Sequence, residues 1–313
     1  MRFYVGVTDS KWYNYLSHIN PEDINFWQPG GGNFKIISPG APFLLKLKSP
    51  YNVIAGVGFY YKHTTLPISV AWDTFGERNC CQSFEELQRM ILNYRGDKTE
   101  RNPTIGCIVL NAPVFFKQED WIEAPSDWSN SIVKGKSYST DEIIGGQIWK
   151  KVELLLEKYP IFKQKELEKG QLIIEEQESP AYGNSILTKV RIGQGAFRVG
   201  VIDAYNRRCS ISGEKTLPVL EAAHIKPYAI SGQNAISNGI LLRSDMHKLF
   251  DMGYLTITPQ YNVEVSKRIK EEFENGKEYY QHHGKGLLFL PNNEIERPHS
   301  THLDWHNTNI FKG

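Results

Sequence analysis

The chain is 313 residues long, enough for two hydrophobic cores rather than one. Apolar residues make up 40% and charged residues 23%, which excludes a wholly disordered chain, and apolar runs such as 105–110 and 287–290 fall far short of the roughly 20 residues of a membrane-spanning helix. A net charge of +1 removes bulk positive charge as an argument for a nucleic-acid partner, so any such partner has to be read from local patterns.

The opening stretch MRFYVGVTDSKWYN has no long apolar run and no small-residue cleavage site, which predicts a cytoplasmic protein. Up to about residue 140, β-rich runs (FYVGV, FKII, FLLKL, NVIAGVGFYY, IGCIVL) alternate with the turn signals PGGG and SPGAP. This pattern predicts a first domain over 1–140 dominated by strands, as a β-barrel or a strongly bent sheet. Within it, Ser83 is placed to cap a helix over 83–94, where Phe84, Leu87, Met90, Ile91 and Tyr94 recur at three- and four-residue spacing.

Thr140-Asp141 opens a further helix, with Ile144, Ile148, Val152, Leu155 and Leu156 on one face, ending before Pro160. The polar runs KQKELEKG and EEQESPAYGNS follow, so residues 141–186 read as a helical linker. The last domain, 187–313, shows a helix near 195–205, short strands around LPVLEAAHI, a small polar loop, and then LLRSDMHKLFDMG and YLTITP. Strand, loop, strand and helix is the order of a ββα unit, and the fold class as a whole is α+β. EVSKRIKEEFENGKEYYQHHG then reads as a strand followed by an amphipathic helix.

The cysteines, Cys80, Cys81, Cys107 and Cys209, are scattered apart from one adjacent pair and imply no disulfide framework. Cys209 is followed by Ser210-Ile211-Ser212, with no second thiolate at knuckle spacing, so no structural zinc is expected.

Hydrolysing a phosphodiester needs a base for the attacking water, a cation to stabilise developing charge, and a scaffold fixing both. His224, in EAAHIKPY, is the candidate base, because a neutral imidazole can accept a proton near pH 7. Asn238, fourteen positions on and beside Gly239, could pin the intervening loop and orient that imidazole. His247 follows nine positions later, with Asp251 four residues further on the same helix face, making a half-site for Mg²⁺ or a transition metal. Arg191, Arg198, Arg207 and Arg208 lie in a basic stretch that reads equally as a track for a phosphate backbone or as a solvated face. His282, His283, His299 and His302 read as structural or surface residues.

The segments AAHIKPY, NGILLRSDMHKLFD and RRCSISG resemble the HNH, or ββα-metal, nuclease family in its bacterial restriction-enzyme branch, and the similarity extends over roughly 187–310. The resemblance implies His224 as general base, Asn238 as the loop-fixing residue and His247 as a metal ligand, with a divalent ion such as Mg²⁺ or Mn²⁺ as cofactor. One departure matters: many members carry an acidic or histidine ligand immediately before the base, where this chain has Ala223. Glu221, two residues earlier on the same strand face as Ala223, and Asp251 are the candidates to replace it.

Further upstream, FWQPGG, SPGAPFLLKL, NVIAGVGFYY and IVKGKSY resemble the PUA-like superfamily, which includes EVE and related readers of modified bases. The resemblance implies a flipped base stacked among aromatic rings. Trp27 and Trp72-Asp73 are the preferred pocket residues, with Phe34 and Tyr60 in reserve, although aromatics of a small sheet also serve as core. Together the two resemblances imply a modification-dependent restriction endonuclease acting on double-stranded DNA, as a homodimer so that both strands are cut. An HNH nuclease acting on unmodified DNA, and a nucleic-acid-binding protein that has lost catalysis, remain as alternatives.

Overall fold

A computed structural model describes residues 1–96, 99–159, 192–231 and 234–313. The chain divides into two compact units, Met1–Ala196 and Phe197–Gly313. No helix among the described residues is long and apolar enough to cross a membrane.

The first unit is built on one mixed sheet of β1 (Arg2–Thr8), β2 (Asp23–Gln28), β3 (Pro42–Leu47), β4 (Val53–Pro67), β5 (Thr104–Phe115), β6 (Ile122–Glu123) and β7 (Gly135–Ser139). The strands run in the order β2-β5-β4-β3-β1-β7, with β6 paired to β4. The pairs are antiparallel except β1 with β3. β2 and β7 stand at opposite ends of this path, so of the two expected forms, a β-barrel or a strongly bent sheet, the described residues form the open, bent sheet. It bends at register shifts between Leu45 and Lys46, Val57 and Phe59, and Tyr60 and Lys62, where an extra residue on one strand kinks the ladder.

Alternation along β1 sorts two cores onto the two faces. Phe3 and Val5 pack with Ile148, Trp149, Val152 and Leu156 of α4 (Ile143–Lys158). Tyr4 packs with Phe43, Leu45 and with Trp12 and Leu16 of α1 (Ser10–Ile19). The helix expected within a linker is therefore sewn into the first unit's core by its apolar stripe. The polar runs expected to complete that linker lie outside the described residues.

Two further helices follow from local signals, α2 (Ile68–Phe75) and α3 (Phe84–Arg95). Ser83 caps α3 by accepting from the Glu86 N–H at 3.3 Å, and Gly96 ends it in the left-handed conformation.

In the second unit, α5 (Gln194–Ala204) leads to an antiparallel pair, β8 (Leu220–His224) and β9 (Gly239–Arg243), with His224 opposite Gly239. The helix α6 (Tyr228–Ser231) lies in the connection, and α7 (Ser244–Asp251) follows β9 directly, so the ββα order is present. A small hairpin of β10 (Leu255–Ile257) and β11 (Val263–Val265) comes next. The amphipathic segment after it is broken into α8 (Arg268–Phe273) and α9 (Lys277–Tyr280) at Gly276, whose φ is +118°. The unit closes with α10 (Ser300–Asn309).

Gly239 is required where it stands: a Cβ there would overlap the side chains of Val201 and Phe197 on α5. That close approach lets α5 lie against the strand pair.

Candidate active site

Strand parity and helix periodicity bring the candidate residues of the second unit together. On β8 the face carrying Ala222 and His224 lines a cavity of about 390 Å³, while Ala223 points the other way and is fully buried. On α7, Met246 and Phe250 are buried, and His247 and Asp251, each one position further, reach the edge of that face and line the same cavity. His224, His247 and Asp251 thus converge. Ile225, Pro227, Tyr228, His306 and Ile310 complete its wall.

His224 is held from two sides. Its ring stacks on Phe197 at 4.0 Å between centroids and 13° between planes. Its Nε2 lies 2.9 Å from Asn234 Oδ1, so Nε2–H donates and Nδ1 is left as an acceptor. Burial holds its pKa below the ordinary imidazole value, reinforced by the neighbouring His247 and opposed by the Asn234 bond and Asp251.

Asn238, fully buried, clamps the backbone beyond His224. Its Oδ1 accepts from the Lys226 N–H and its Nδ2 donates to the Lys226 carbonyl, each at 2.9 Å, and its own carbonyl accepts from the Ile225 N–H. It fixes the chain after the base, whereas the imidazole itself is oriented by Asn234. Nothing but a second amide in the loop SGQNAIS marked Asn234 in the sequence.

The two nitrogens of His247 meet two carboxylates, Nδ1 at 2.6 Å from Glu221 Oε2 and Nε2 at 3.3 Å from Asp251 Oδ2. Glu221 does not itself line the cavity, but its carboxylate is bonded to His247, which does, and it lies close enough to Asp251 to raise that group's pKa. Burial raises the Asp251 pKa, the neighbouring His247 opposes that rise, and Glu221 adds to it. Among the described residues no group of three or more His, Cys, Asp and Glu side chains is set to hold a metal ion. His247 Nε2 and Asp251 offer two donors. That number suits Mg²⁺, which keeps several of its waters and takes one or two protein carboxylates.

His306, a wall residue that sequence reasoning missed, is pinned by Thr256 Oγ1 at 2.8 Å on Nδ1 and by the Phe250 carbonyl at 3.1 Å on Nε2. Burial pushes its pKa down to about 4, so it faces the cavity as a neutral ring. The expected backbone-binding arginines do not line this cavity. Arg198 is half-buried, Arg207 lies 3.7 Å from Asp203, Arg208 sits over the Phe289 ring at 4.9 Å, and Arg191 lies outside the described residues.

The first unit has its own cavity, of about 1010 Å³. Trp27 lines it, donating its indole N–H to the Asn79 carbonyl at 2.9 Å. Of the other expected pocket residues, Phe34 and Tyr60 are buried in the core with Tyr4 and Phe43, because they sit under the sheet rather than at its rim. Trp72 and Asp73 lie on α2, half-buried and exposed, away from the cavity lining. The aromatic partner of Trp27 is Tyr94, on the last turn of α3, with ring centroids 6.0 Å apart.

Residues 209–258 match the HNH endonuclease family, a span that contains His224, Asn238 and His247. No curated protein matches the chain. Among solved structures, two single-substitution variants of the ASCH protein from Zymomonas mobilis are similar at 9% and 7% identity. They cover 47% and 48% of this chain and 95% of their own length, with TM-scores of 0.31 and 0.32. The unsubstituted ASCH protein of the same organism is similar at 8% identity over 37% of this chain and 89% of its own, with a TM-score of 0.26.

Proposed function

We propose that the second unit hydrolyses phosphodiester bonds of double-stranded DNA at the His224–His247 cavity, and that the first unit selects the site by binding a modified base. The observation that carries the reading is the convergence of a neutral imidazole, a second imidazole and a carboxylate on one cavity, with Asn238 clamping the loop between them.

His224 acts as general base. With Nε2–H given to Asn234, Nδ1 takes the proton of the attacking water, and burial keeps the ring unprotonated near neutral pH. His247 Nε2 and Asp251 would hold a divalent cation, which supplies charge stabilisation at the phosphate and the leaving oxygen when bound. Glu221 acts through His247: by accepting the Nδ1 proton it fixes the tautomer that presents Nε2 to the ion. One such site serves one strand, so two copies of the chain act together on a duplex.

The metal and base work on the backbone that every sequence shares, so choice of target falls to the first unit. The cavity that Trp27 and Tyr94 line receives the extruded base with its modification.

The reading is tested by plasmid digestion with and without Mg²⁺. Cleavage should require the cation and fall at least ~100-fold in His224→Ala with the circular dichroism spectrum unchanged, and undiminished cutting by that variant would reject the assignment. Equal digestion of plain and modified duplex by the full chain would reject the selecting role of the first unit while leaving the nuclease reading intact.

A further inference from the structure

The first unit's cavity, at about 1010 Å³, stands at the top of the roughly 300–1,000 Å³ that encloses a drug-sized ligand. A flipped pyrimidine bearing a methyl group is one flat ring, and readers of such bases close on it snugly. Nothing of that kind is built here. Trp27 and Tyr94 meet at 64° and 6.0 Å, forming a corner rather than a parallel slot, and Tyr94 is 60% exposed.

The remaining wall is polar in a particular way. The amides of Gln28, Gln82 and Asn93 and the carboxylates of Asp9 and Glu86 border the space. Asp9 accepts the Trp12 N–H and Glu86 the Gln82 N–H, each at 2.8 Å, so both carboxylates are fixed in place with acceptor capacity to spare. Aromatic surface beside amides and fixed carboxylates matches a ring with apolar C–H faces and several hydroxyls. The wall thiols, half-buried Cys80 and buried Cys81, have their pKa raised by desolvation, which leaves them neutral.

At the mouth, Lys11, Lys48 and Lys134 are exposed and form no ion pair among the described residues, placing positive charge where flanking phosphates would pass. Gly30 and Gly32 stand in the same rim with open space around them, so no side chain narrows the entrance.

We infer that this cavity accepts a base carrying a hexose-sized, hydroxyl-rich substituent in preference to a methylated one, an inference that rests on the reading of the first unit as a modified-base reader. The sugar lies against the Trp27–Tyr94 corner, its hydroxyls meet the amides and carboxylates, and the lysines hold the backbone.

The test is fluorescence anisotropy of the full chain, in a chelator so that nothing is cut. The four duplexes differ only in one cytosine: unmodified, 5-methyl, 5-hydroxymethyl, or glucosylated 5-hydroxymethyl. Binding to the glucosylated duplex should be at least ~10-fold tighter than to the other three. Methyl or hydroxymethyl duplex bound as tightly as the glucosylated one, and more tightly than unmodified, would overturn the size inference and leave the reader role standing. Equal binding to all four would remove the reader role and this inference with it.

A second variant localises the effect. Asn93→Trp, at an exposed position on the last turn of α3, fills the cavity without touching the core. It should weaken the glucosylated complex ~10-fold with the circular dichroism spectrum unchanged. Unchanged affinity for the glucosylated duplex would overturn the placement of the sugar.

Discussion

The second unit's cavity, about 390 Å³, carries histidines and a carboxylate held by hydrogen bonds and ion pairs; the first unit's, about 1010 Å³, is walled by aromatic rings and polar side chains around open space. The contrast separates two tasks. Chemistry on a phosphate needs a few groups held to within tenths of an ångström, and the polar contacts around His224, Asn238 and His247 provide that restraint. Selection of a bulky base needs volume and a surface, and tolerates an exposed ring such as Tyr94.

If the division of labour holds, the two regions should respond differently to substitution, and the largest effects belong to the second unit. His247→Ala and Asp251→Asn should each reduce DNA cleavage by more than Glu221→Gln. That last change acts only through the ring and should cost roughly 10–100-fold, with a raised Mg²⁺ requirement. Initial rates across a Mg²⁺ titration measure all three. A Glu221→Gln enzyme as impaired as the other two, and beyond rescue by added cation, would return Glu221 to the ligand set.

A change of pH sharpens the same comparison. Because His224 is held below the ordinary imidazole pKa, the base stays active into mildly acid solution. At saturating cation, kcat/KM should fall with decreasing pH only below the usual ~6.5. Half-loss at or above that value would show an unperturbed imidazole. Modified-duplex binding by the first unit, which uses no histidine, should be flat over the same interval.

Smaller effects concern stability. His306 has a folded pKa of about 4 against ~6.5 for an unfolded histidine, so the unfolded chain takes up the proton first as the pH falls. Stability is full above the unfolded value and should decline by roughly 2 kcal/mol between about pH 7 and pH 5, a dependence that His306→Asn removes. Urea midpoints at the two pH values decide it. Gly239→Ala should cost about 1–3 kcal/mol by overpacking against Val201 and Phe197, visible as a lowered midpoint with the Trp27 environment of the first unit unchanged.

Legibility in the sequence followed locality. His224 ends β8, Asn238 stands just before β9 and His247 lies on α7, so residue types, spacing and the family resemblance all fell within one ββα stretch. Helix α3 was equally plain from its Ser83 cap and apolar spacing. Asn234 escaped because a side-chain amide in a polar loop carries no periodic signal. Glu221 shares strand parity with Ala223, and its contact with His247 was not legible, because a strand-to-helix pairing leaves no local spacing signal.

In the first unit, Phe34, Tyr60 and Trp27 look alike as aromatics in β-rich text, and only the sheet decides which lies under it and which at its rim. Tyr94 repeats the apolar spacing of α3 and reads as core, yet the helix ends there and leaves the ring exposed beside Trp27. The open sheet was likewise hidden, since strand order and bulges depend on partners far apart in the chain.

The role of the His224 imidazole is tested most directly by chemical rescue. His224→Gly, with its fold verified by circular dichroism, is given plasmid DNA and Mg²⁺ in the presence and absence of free imidazole. The account predicts cleavage at least ~100-fold below the unsubstituted protein and a partial, concentration-dependent return with imidazole. Full cleavage by the variant without imidazole would contradict it.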